Sequence, residues 1–82
     1  MKLLITSGPR LRKEFDFEQD VNIVYDILDK NLESIETQLR VSIDLIKHDN
    51  VVELMCDSQL NPMLFEFICE IAKREIKKVA LA

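Results

Sequence analysis

Four carboxylates, Asp26, Asp29, Glu33 and Glu36, recur at intervals of three, four and three residues. At 3.6 residues per turn, that spacing lines them along one side of a helix. Such a row can attract a cation or a basic protein partner, and solvated helix surface is the ordinary alternative. It does not resemble a hydrolase pair, which needs two acids converging on a cleft in different environments. His48 is the only histidine. It falls in a predicted turn between Lys47 and Asp49, without the convergent groups that a base or a ligand requires. Cys56 and Cys69 lack C-x-x-C spacing. With His48 they would offer three soft ligands and no fourth, so buried structural cysteines are the simpler reading. No catalytic residue, metal ligand or cofactor site is expected.

Two further sets could bind rather than react. Arg10, Arg12 and Lys13 near the start, and Lys73, Arg74 and Lys77 near the end, could touch phosphates. There is no Trp, and the few aromatics fall mostly at core spacing, so no stacking platform for bases is evident. Ile23, Ile27, Phe65 and Phe67, with Met63, are apolar groups beyond what the main stripes need. In a domain this small such a surplus commonly marks an interface.

The chain has 82 residues, a net charge of −4 and 48% apolar residues. It is short enough for one small domain spanning 1–82, of modest stability. The net charge argues against electrostatic coating of nucleic acid. Charge is unevenly placed: residues 1–13 carry four positive and no negative groups, whereas residues 14–39 carry eight acids and one Lys. Two cysteines are too few for a disulfide framework, which suits a reduced, cytoplasmic setting. Lys2 precedes only three apolar residues, too few for a signal-peptide core, and no apolar run reaches the ~20 residues of a membrane span.

The elements follow from changes of period. Lys2–Thr6 reads as a strand, and Ser7-Gly8-Pro9 as a turn. Arg10–Phe17 alternates, interrupted by Lys13, and reads as a second strand pairing with the first. Residues 1–18 are thus an N-terminal hairpin or, alternatively, an arm. Asp20 caps a helix reaching Leu39, with Val21, Val24, Leu28, Leu32, Ile35 and Leu39 as its apolar stripe. A break near Asp29-Lys30-Asn31 stays open. Val41, Ile43 and Leu45 then recur at two, His48-Asp49-Asn50 interrupts, and Val51–Cys56 resumes. This predicts a hairpin over 40–56. A helical reading of the stretch is the alternative, because Ile46, Val52 and Met55 break strict alternation. Asn61-Pro62 opens a last helix as cap and first residue, with Leu64, Ile68, Ile71, Ala72, Ile76 and Val79 on its apolar face.

From Asn31 to Ala72 the words NLESIETQL, RVSIDLI, VVELMC and the helix from Pro62 resemble a KH-type element. With FDFEQD before them, the whole resembles the small N-terminal domain of the PhoH-like ATPases, over about residues 14–80. The resemblance implies a fold and an accessory role. Two departures limit what carries over. The KH signature is a Gly-x-x-Gly loop that lets phosphates approach bare backbone. The matching positions are Asp26, Ile27, Leu28 and Asp29, without glycine and with two carboxylates. The nucleotide chemistry of those ATPases sits in a P-loop, and a sequence with one glycine cannot supply G-x-x-x-x-G-K-[ST].

The expectation is an α+β fold in ββαββα order, KH-like, with two β-hairpins and two main helices, residues 20–80 forming a helix-hairpin-helix unit. A small helical bundle is the alternative. The expected function is a non-enzymatic protein-interaction or accessory domain, self-association included. A divergent KH-like domain binding single-stranded nucleic acid is the second reading.

Overall fold

The computed structural model describes residues 1–81; Ala82 lies outside them. Strands β1 (Lys2–Ser7) and β2 (Leu11–Asp16) form an antiparallel hairpin, so the N-terminal residues are no loose arm. Gly8 turns between them at φ +57°, a left-handed conformation that costs glycine little. A Cβ there would also collide with the Gln59 side chain. Helix α1 (Val21–Leu39) follows, then β3 (Ile43–His48), β4 (Val51–Cys56) and α2 (Pro62–Leu81). The order is ββαββα and the fold is α+β. The helical alternative for 41–56 falls, because those β-branched residues pair as strands across a two-residue turn, Asp49-Asn50.

The sheet order is β2-β1-β4-β3. The two hairpins join through a parallel β1–β4 pair, with Leu3 opposite Val52 and Ile5 opposite Leu54. The halves therefore share element order but not topology. In the first hairpin the first strand lies inside the sheet; in the second hairpin it is the second strand.

Both helices cover one face. Alternate residues Leu3, Ile5, Ser7, Val52, Leu54, Cys56 and Ile43 point into the core, where Val24, Leu28 and Ile35 of α1 meet Phe65, Ile68, Ala72 and Ile76 of α2. Lys13 broke the expected alternation of β2 because it too faces the helices. At the sheet edge its ammonium can emerge beside α2, where it pairs with Glu66. Ser7 is buried, and its hydroxyl does two jobs. It donates to the Ser58 carbonyl at 2.6 Å and accepts from the Leu60 N–H at 2.8 Å, which fixes the approach to α2.

The caps are local. Asp20 Oδ1 accepts from the Asn22 N–H at 2.8 Å, and Asn61 Oδ1 from the Leu64 N–H at 2.9 Å. Helix α1 runs unbroken past Asp29-Lys30-Asn31. The Asn31 side chain donates back to the Ile27 carbonyl at 2.7 Å, a bond that lets Asn sit mid-helix. The helix stops at Arg40, whose backbone is left-handed at φ 54°.

Candidate functional site

The acidic row divides. Asp26, Asp29 and Glu33 are exposed on α1, but Glu36 is turned to structural use: its Oε2 accepts the Ile43 N–H at 2.9 Å, tying the helix end to β3. A second acidic group gathers beside it. The carboxyl of Asp57 is raised above its usual range, first by the charge of Asp44 and also by a hydrogen bond with it and the charge of Glu36. Among the described residues, no three His, Cys, Asp or Glu side chains converge as metal ligands would.

His48 ends β3 rather than sitting in the turn. It is exposed, with Nε2 2.7 Å from Glu53 Oε2 on the neighbouring strand. Cys56 and Cys69 are buried and unbridged. Burial, with the nearby Asp57 and Glu66 charges, pushes their thiols up to about 11, which leaves them unreactive at neutral pH.

Half of the basic set, Arg12, Lys13 and Lys73, is already paired. Arg12 reaches Glu14 at 2.7 Å and Lys13 reaches Glu66. Lys73 reaches Glu70 at 3.1 Å and lies over the Phe15 ring, 5.0 Å from its centroid. Lys73, Arg74 and Lys77 line one shallow flank of α2 with Lys78 and Glu70, while Arg10 lies apart, in the β1–β2 turn. The positions that match a phosphate loop, Asp26–Asp29, lie mid-helix in α1. Their N–H groups are held in the helix ladder and cannot reach a phosphate.

The apolar set is also redistributed. Phe65 is 2% exposed and belongs to the core, so it leaves the surface set. Ile27 is half-buried against that core. Phe67, at 51% exposure, and Met63, at 85%, remain in solvent on the first two turns of α2. With Asn61, Pro62 and Leu64 they line an open apolar hollow of about 630 Å³. Ile23, 46% exposed on α1, does not line it.

One surface escaped the sequence reading. The sheet face away from the helices carries Leu4, Thr6, Val51, Met55 and Ile46 among charged residues. Leu4 is only 9% exposed yet lies outside the core cluster, and Ile46 is 43% exposed. Ile46 looked like a fault in the alternation of β3. Read at period two from Asp44, it marks the outer face.

No protein-family model, curated protein or solved structure matches this chain. Function therefore has to be argued from the surfaces alone.

Proposed function

We propose that the chain is a small non-enzymatic protein-interaction or accessory domain. One observation carries this reading: Met63 and Phe67 stand in water, side by side at i,i+4, over an apolar hollow at the start of α2. The core is complete without them, and solvent-exposed Met and Phe in one patch are costly unless a partner covers them. Aromatic residues and Met are also the types enriched where protein interfaces are buried. The exposed acids Asp26, Asp29 and Glu33 on α1 give a second, polar surface that suits a basic partner.

The KH-type resemblance suggests single-stranded nucleic acid instead. It has less support, since the matching loop is helical and acidic and half of the basic set is paired with acids.

Affinity capture compared between the wild type and the Met63→Ser/Phe67→Ser variant tests the proposal. The expected result is a protein partner retained by the wild type and lost by a variant that folds equally well. Equal capture by both, or salt-sensitive binding of single-stranded RNA by both, would overturn it.

A further inference from the structure

Strand β3 forms one edge of the sheet. One bond fixes which of its backbone groups lie on the open side. The Asp57 N–H donates to the Ser42 carbonyl at 3.0 Å. Bonded residues recur at every second position of an antiparallel pair. Asp44, Ile46 and His48 therefore turn their N–H and C=O groups toward β4, and Ile43, Leu45 and Lys47 turn theirs outward. The Ile43 N–H is met on that side by Glu36 Oε2. The outward groups of Leu45 and Lys47 have no strand beside them.

Helix α1 walls this open side. Its Asn22 meets the Lys47 ammonium at 2.7 Å near one end of β3, and its Glu36 meets Ile43 at the other. Asp29 is seven residues from each, and seven residues make nearly two whole turns. It therefore stands midway along the same wall, level with Leu45. Glu33 and Asp26 follow about 40° and 60° further round, toward solvent. All three acids are exposed, and none forms an ion pair with another described residue. Asp44 and Asp57 add acid at the Glu36 end. Lys47, held over the Tyr25 ring, closes the other end. The opposite sheet edge is guarded: β2 carries Arg12, Lys13, Glu14 and Asp16, the kind of charge by which edge strands resist added strands. β3 instead carries Ile43, Leu45 and Ile46, and Ile46 is 43% exposed.

We propose that an extended, basic segment of a partner protein adds to the β3 edge as a fifth strand, bonding to Leu45 and Lys47 and setting alternate Lys or Arg side chains against Asp29, Glu33 and Asp26. In strand addition the backbone bonds give affinity and alternate side chains give specificity. Here basic residues meet the acidic wall on the helix side, and apolar ones meet Ile46 on the other. The proposal rests on the reading of the chain as an interaction domain and uses a surface separate from Met63 and Phe67.

The probe is an end-capped hexapeptide of alternating lysine and valine, titrated into the full isotope-labelled chain and followed by NMR and amide hydrogen exchange. Saturable binding is expected, with slowed exchange of the Leu45 and Lys47 amides. Asp29→Lys/Glu33→Lys, two exposed positions, should weaken it roughly tenfold. Lys47→Pro removes an outward donor and leaves the β4 ladder whole. It also removes a cation, so weaker binding by this variant reports the lost backbone bond and not a change of charge. Circular dichroism checks that each variant is folded. No saturable binding, equal binding of a glutamate–valine hexapeptide, or indifference to either variant would overturn the proposal. So would concentration-dependent shifts of the same amides without peptide, which would put a second copy on the edge. The Met63→Ser/Phe67→Ser variant should bind the hexapeptide as the wild type does, so this titration and the capture comparison fail independently.

Discussion

Phe65 and Phe67 are two residues apart on α2, and two residues of helix rotate a side chain by about 200°. They cannot share a face. Counting Cys69 with the apolar residues centres the buried face on Phe65, Ala72 and Ile76 and leaves Phe67 nearly opposite; treating Cys69 apart hides that centre. The consequence is measurable in urea melts. Phe65→Ala should cost about 3–5 kcal/mol, because it opens a cavity in a close-packed core. Phe67→Ala should change stability by no more than about 0.5 kcal/mol, while still removing half of the exposed patch. Lys13 shows the complementary lesson. A charged side chain can hold a helix-facing strand position when the strand is at the edge and an acid such as Glu66 waits outside. Its partner lies 53 residues away in the chain, so alternation alone could not reveal it.

At the scale of elements, the signals that were legible were local ones. Asp20, Asn61-Pro62 and the change of period after Leu39 act within a few residues, and the helices begin and end where those signals stand. Arg40 is the exception that stability can improve. It ends α1 in the left-handed region, where a non-glycine residue is strained by roughly 1–2 kcal/mol. Glycine would remove that strain and return part of it as backbone entropy. Arg40→Gly is therefore expected to raise stability by about 0.5–1 kcal/mol, seen as a higher urea midpoint with an unchanged slope.

At the scale of the molecule, the joining of the hairpins was not legible. Nothing in Leu3-Leu4-Ile5 announces that β1 has β4 as a second neighbour, because a parallel pairing carries no turn residues to mark it. Two adjacent apolar residues at 3 and 4 do fit a strand flanked by neighbours on both edges: Leu3 is buried in the core, and Leu4 is buried on the open face between Glu14 and Glu53. Residues 1–18 thus supply one of the two central strands of the sheet, β1. Deleting them should leave β4 unpaired on one side and the core without Leu3 and Ile5. The remaining 19–82 fragment is expected to lose cooperative thermal unfolding by circular dichroism; a sharp transition in that fragment would show the first hairpin to be dispensable. The same β1–β4 contact imposes an order in time. Lys2 meets Val51, 49 residues later, and at ~5–20 residues per second of synthesis that wait is roughly 2–10 s. Through it the inner edge of β1 is a bare strand with no mate, the kind of edge that recruits strands from other chains. A growing chain of this design is most vulnerable to its neighbours before β4 has been made.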